Sequence, residues 1–268
     1  MRSLWLAVGS ILVVAVAAVA WILVSSLPAP APTEADDDFG AVSVYSVTDA
    51  GTLDPEPGGL AADVWETFTR VTTIEFAGSV VTQFRTGDAP DSDTLAYVYQ
   101  DSDPTLWILA ANLATSEDHE QLVATLIHEY GHILTLGVDE VTSDAADCST
   151  IELDEGCADN DSAIWMFEQQ FWSEYGSDAP AADNSDADVG WAFYNEHEED
   201  FVSDYAATNV VEDIAETFMT FVLEDRPSGA PGDSVVADKI SFFWSYPDFV
   251  EIRERIRSEF ADDLGLTD

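Results

Sequence analysis

"TLIHEYGHILTL", residues 125–136, is an apolar run with three ionisable side chains set into it: His128, Glu129 and His132. The chain has four histidines in all, and two of them stand here four residues apart. Residues i and i+4 share one helical face, one turn apart. Two imidazoles so placed can both reach one cation at about 2.0–2.1 Å. Glu129 would then lie beside the ion, placed to take a proton from a water whose pKa the ion lowers towards about 7. Left unmatched inside an apolar helix, each of these polar groups would cost roughly 1–3 kcal/mol. A shared metal ion satisfies all three, so the His-Glu-x-x-His pattern reads as a zinc site. The flanks agree with a helix. Thr115 or Ser116 can cap it, Glu117, Asp118 and Glu120 suit the positive end of its dipole, and Gly137 can end it.

Catalytic zinc takes three protein ligands and keeps one position open. A third histidine in the HExxHxxGxxH arrangement is excluded, because Thr135 and Val138 occupy the required positions. A carboxylate from a later helix remains, and "YAATNVVEDIAETF", residues 205–218, offers candidates. Glu212 and Glu216 share one helical face, and Asp213 and Thr217 share another. Asp213 is the rival ligand to Glu212. These acids sit among core-type residues such as Ile214, Ala215 and Phe218, with no arginine nearby in sequence to balance them.

With HEYGH upstream and Tyr205, Glu212 and Glu216 downstream, the chain resembles the gluzincin metallopeptidases related to anthrax lethal factor and the Pro-Pro endopeptidases. Those carry a Tyr seven residues before a liganding Glu and a second Glu four residues after it. The resemblance covers residues 105–223 and departs from the family in the long segment between His132 and Tyr205, on which substrate preference would depend. It implies zinc held by His128, His132 and Glu212. It also implies water activation by Glu129, an oxyanion hydrogen bond from Tyr205, and orientation of a ligand histidine by Glu216.

The remaining sequence bounds the setting. Fifty-three acids against eight bases give a formal net charge of −45. Such a surface repels nucleic acid and anionic lipid, and suits a high-salt or acidic cell-wall environment. Residues 4–24 are uncharged and apolar, and as a helix would run about 31 Å, enough to cross a bilayer. This length favours a signal-anchor over a cleaved signal peptide, with Arg2 inside and the rest outside. Cleavage would give a secreted protein. A Pro-rich, acidic linker, residues 27–38, is expected as a solvated stalk before one domain, residues 39–268. In an oxidising compartment Cys148 and Cys157 are expected to form a disulfide. His119 and His197 read as solvated, and Asp183, Asp186 and Asp188 as loop charge rather than a calcium site.

The expected fold is α+β and zincin-like. It has a first strand at residues 41–47, a helix at 60–71, a hairpin-like pair near 72–84, and strands at 94–100 and 105–112. The HExxH helix follows. An acidic loop at 138–160, an aromatic helix at 161–176, another acidic loop, and two further helices from 209 and 247 complete it. The strand at 94–100, or its neighbour, should edge a cleft that takes an extended peptide. The expected function is that of an outward-facing, monomeric zinc metallopeptidase acting on peptides or proteins, and touching membrane only through its N-terminal helix. The alternative is a surface-anchored binding module with a structural zinc.

Overall fold

The computed structural model describes residues 30–143 and 147–265. The expected membrane span lies outside these residues, and among them no helix is long and apolar enough to cross a membrane. The chain begins with β1 (Thr33–Asp36), β2 (Gly40–Val47), β3 (Leu53–Asp54), α1 (Leu60–Thr72) and α2 (Ile74–Val80). It continues through β4 (Val81–Gly87), β5 (Ala96–Gln100) and β6 (Trp107–Asn112) into α3 (His119–Thr135), the HExxH helix. The short strands β7 (Val141–Thr142), β8 (Glu152–Leu153) and β9 (Gly156–Ala158) follow. Five longer helices come next: α4 (Ala163–Phe171), α5 (Ala187–His197), α6 (Val210–Leu223), α7 (Val235–Phe242) and α8 (Pro247–Glu259).

The main sheet has the order β1-β2-β4-β6-β5, with β3 pairing β2. Only β4 and β6 run parallel. Every residue of "WILAAN" in β6 is buried, as its continuous apolar run requires of an inner strand. β5 closes the sheet on the side of α3, and among the described residues no strand pairs with its outer edge. The architecture is thus a mixed α+β fold in which a small sheet backs the HExxH helix.

Several expectations are corrected. The acidic stalk gives up Thr33–Asp36 to the sheet, where the backbone pairs with Gly40–Ser43 and Asp36 accepts a hydrogen bond from the Tyr97 hydroxyl. Composition described its side chains correctly but said nothing of its backbone ladder. The expected hairpin near 72–84 is instead α2 followed by one strand. The Thr73 hydroxyl accepts from Phe76 N at 3.1 Å, and this cap overrides the β-type composition. Asp118, not Thr115 or Ser116, caps α3, accepting from Gln121 N at 3.1 Å. The loop at 138–160 holds a three-stranded sheet, ordered β7-β9-β8, and the expected Cys148–Cys157 disulfide. The second acidic loop yields α5, whose N-terminus is capped by Asp186 accepting from Asp188 N.

Two devices set the position of α6, one against α3 and one against α8. At Gly131 a Cβ atom would stand 3.1 Å from Phe218 and 3.3 Å from the Ala215 Cα, so the absence of a side chain lets the helices approach closely. From α8, Arg253 donates to the carbonyls of Phe221 (2.6 Å) and Glu224 (2.8 Å), and Arg257 donates to Leu223 (2.7 Å). Two of the chain's few cations thus satisfy the free carbonyls at the C-terminal end of α6. Arg255 does the same for Arg70 and Val71 at the end of α1.

Candidate metal centre

α3 buries Leu122, Val123, Leu126, Ile127, Tyr130 and Ile133 in the core, and the same burial carries His128, Glu129 and His132 inside. On α6, Asn209 caps the helix by accepting from Val211 N (2.8 Å) and Glu212 N (2.9 Å), which fixes the turn that carries Glu212. The two helices bring three acceptor atoms together. His128 Nε2 and His132 Nε2 lie 2.9 Å apart, and Glu212 Oε2 lies 3.2 Å from the first and 3.4 Å from the second. Four ligands set tetrahedrally at about 2.05 Å from one ion are about 3.3 Å from each other, so the triangle has the size of one face of such a site. Among the described residues, His128, His132 and Glu212 form the one group of three or more such side chains able to share an ion.

Charge and hydrogen bonding support the same conclusion. Burial alone would raise the Glu212 carboxyl, but the two imidazoles outweigh it and hold it well below the usual carboxylate range. Burial would lower the His128 imidazole, yet Glu212 and Glu216 raise it well above the ordinary histidine value. The cluster therefore attracts positive charge strongly. Glu212 Oε2 and His132 Nδ1 are buried and have no hydrogen-bond partner. An ion placed in the triangle would satisfy the first of these.

Glu216, Glu129 and Tyr205 stand around the triangle, together with Ser203, which the sequence did not single out. Glu216 Oε1 lies 2.8 Å from His128 Nδ1, which fixes the imidazole so that Nε2 faces the triangle. The other Glu216 oxygen accepts from Ser203 Oγ at 2.6 Å, and that hydroxyl accepts from Ala206 N at 3.1 Å. Ser203 was not expected. Its type and spacing give no signal, and its role appears only where the turn at Tyr205–Thr208 folds back on α6. Glu129 is buried next to the two imidazoles. Burial raises its carboxyl, His128 and His132 oppose that rise, and the Val98 N–H on β5 also favours the charged form. Tyr205 lies with its ring 5.8 Å from that of His128. Burial of its hydroxyl end, and then the charges of Glu212 and Glu129, push its phenol well up, so it stays protonated and able to donate.

Asp213, the rival ligand, turns away. Its Oδ2 takes hydrogen bonds from Lys239 Nζ and Trp172 Nε1, each at 2.7 Å. His119 lies at the start of α3 beside Asp263, as expected of a solvated residue. His197 is less free than expected, since its ring packs against Tyr175 and Phe193 at 4.7 Å each. Asp186 serves as a helix cap, and the Asp183–Asp188 region forms no metal-binding group among the described residues.

A cleft of about 500 Å³ opens onto this centre. It is lined by Leu95, by Ala96 at the start of β5, and by Ala187, Tyr205, His128 and Glu129. No protein-family model matches the chain, and no curated protein or solved structure is significantly similar to it.

Proposed function

We propose that the protein is a zinc-dependent peptidase of the gluzincin type. The observation that carries this reading is the combination of a three-cornered acceptor site with a buried carboxylate and a protonated phenol facing the same cleft. Zinc fits the donor set, two imidazoles and one carboxylate, and three protein ligands leave a position open. A structural zinc would need a fourth protein ligand, and among the described residues none joins this group.

Bound there, zinc would supply Lewis acidity towards a water and a substrate carbonyl. The chain supplies the rest. An extended peptide lies along the outer edge of β5, which among the described residues pairs with no strand. Glu129 removes a proton from the attacking water and returns it to the amine that leaves. Tyr205 donates a hydrogen bond to the carbonyl oxygen as it gains negative charge. Glu216, braced by Ser203, keeps His128 in one tautomer and one orientation.

The test is a peptide-library digest by the zinc-loaded protein, run with and without chelator. Chelator-sensitive cleavage is expected. Glu129→Gln should keep one equivalent of zinc and lose cleavage by 100-fold or more, within the usual range of about 10²–10⁴ for a general base. Undiminished cleavage by that variant would refute the assignment.

A further inference from the structure

Helix α5 lies in the long segment between the two halves of the metal centre, and it carries the most exposed large apolar side chain among the described residues: Trp191 is 54% exposed. The helix is seated on the turn that bears Tyr205. At Gly190 a Cβ would stand 3.0 Å from the Thr208 Cα, so helix and turn meet backbone to backbone. Ala187, in the first turn of α5, already lines the cleft beside Tyr205. Residues i, i+4 and i+7 share a helical face, so Ala187, Trp191 and Tyr194 form one stripe that begins at the cleft with Ala187. The Trp191 and Tyr194 rings sit together, 5.9 Å apart. Phe193 points to the opposite flank, into the core beside Trp172. The cleft itself contains Asp93, Glu129 and Glu216 but no lysine or arginine.

We propose that this stripe is a specificity rail for the substrate. It takes an aromatic side chain of an extended polypeptide whose backbone continues out of the cleft past Tyr205. This rests on the reading of the cleft as a peptide-binding cleft. The occupant follows from continuity, because a chain leaving the cleft over Ala187 meets Trp191 next. Along the helix the two are about 6 Å apart, at 1.5 Å per residue. An extended peptide covers that distance in about two residues, at roughly 3.3 Å each. The recognised aromatic residue therefore lies about two positions beyond the last residue held in the cleft. Acidic side chains near the scissile bond are disfavoured by the carboxylates that line it. Trp and Tyr suit this role, since they offer large rigid faces and lose little conformational freedom on contact.

Binding is measured first, on the full zinc-loaded chain carrying Glu129→Gln, so that no turnover is needed. A random peptide library is passed over this protein and over Glu129→Gln/Trp191→Ala. The rail predicts retained peptides with Phe, Tyr or Trp at one fixed position, and loss of that preference in the double variant. No retained peptide, no aromatic preference, or the same preference in both proteins overturns the rail. Turnover is measured second. For peptides carrying that aromatic residue, Trp191→Ala should raise KM about 3- to 10-fold with kcat unchanged. Trp191→Phe should stay close to the parent, and peptides truncated before the aromatic position should not distinguish the three proteins. An aromatic preference without cleavage by the parent protein would overturn the hydrolysis reading and leave the rail standing.

Discussion

Helix α6 carries two buried anionic centres on adjacent faces, and they are balanced in different ways. Asp213 and Lys239, each fully buried, form an ion pair at 2.7 Å. Every polar atom there has a partner. Trp172 Nε1 and Thr217 Oγ1 also donate to Asp213, and Lys239 donates to the Asp200 carbonyl at 2.7 Å while lying 3.8 Å over the Phe201 ring. One residue away, Glu212 Oε2 lies 3.2 Å and 3.4 Å from the Nε2 atoms of His128 and His132 and makes no hydrogen bond of its own. The first centre contains its own cation. The second brings together two imidazoles and a carboxylate that could share a metal ion. Buried charge alone does not separate the two centres; the buried Glu212 oxygen without a hydrogen-bond partner does.

The largest effect should come from breaking the self-contained centre. Removing one partner of a buried pair leaves the other charged and unpaired, at a cost of about 3–5 kcal/mol. Lys239→Met and Asp213→Leu are each expected to lower the unfolding free energy by that amount in a denaturant titration. The double replacement should recover most of the loss, because neither charge then remains. Zinc bound per folded molecule should not change. A single variant within 1 kcal/mol of the parent would show that the pair is not a structural anchor.

The open centre should respond to metal instead. Zinc that binds only the folded state stabilises it by about 2.7 kcal/mol when free zinc is 100 times its Kd. Chelator should therefore lower the unfolding midpoint of the parent protein and leave His132→Ala and Glu212→Gln unmoved. An equal chelator response in those variants would place the ion elsewhere. Weaker still should be the loss of the brace. Glu216→Gln keeps its shape but loses the charge that orients His128, and outer partners of this kind are typically worth 10- to 100-fold in metal affinity. Competition against a chromogenic chelator measures this directly, and an unchanged affinity would remove Glu216 from the site.

The two centres also show what the sequence could and could not disclose. His128, Glu129 and His132 were legible because they lie within one turn, and helical period alone places them on a shared face. Glu212 and Asp213 could not be told apart by spacing. The choice is made by where Lys239 lies, on a different helix, and by which side of α6 faces Trp172. Ser203 was invisible for the same reason, since its contact with Glu216 depends on how a turn folds back on α6. The longer strands β2, β5 and β6 followed their hydrophobic patterns. β1 and α5 did not, because acid-rich segments read as solvated coil, and α7 lies in a stretch that the sequence pattern assigns to no element. Backbone pairing made a strand of β1, and side-chain caps at Asp186 and Ser234 made helices of the others.

Glu140 extends the comparison to a third kind of carboxyl group, half-buried and, among the described residues, paired with no lysine or arginine. It follows the end of α3 and accepts a hydrogen bond from Ala163 N at the start of α4. Burial pushes it up from 4.5 to about 7; the Ala163 N–H opposes the rise, and the nearby Asp161, Asp159 and Asp139 add to it. This carboxyl therefore keeps its proton at pH values where an ordinary glutamate is already ionised. A folded-state pKa above the ordinary value means that the folded chain holds that proton more tightly than the unfolded chain. The stability it contributes is complete below about pH 4.5 and is lost as pH rises through 7. Glu140→Gln, which keeps the acceptor for Ala163 but cannot ionise, should match the parent near pH 4 and exceed it above pH 7. The side chain is partly exposed, so solvent screening reduces the difference to about 1 kcal/mol. Unfolding titrations at pH 4.5 and 8 measure it. A gain at low pH, or none at high pH, would mean that Glu140 is ionised in the folded protein and that its acidic neighbours do not govern its charge.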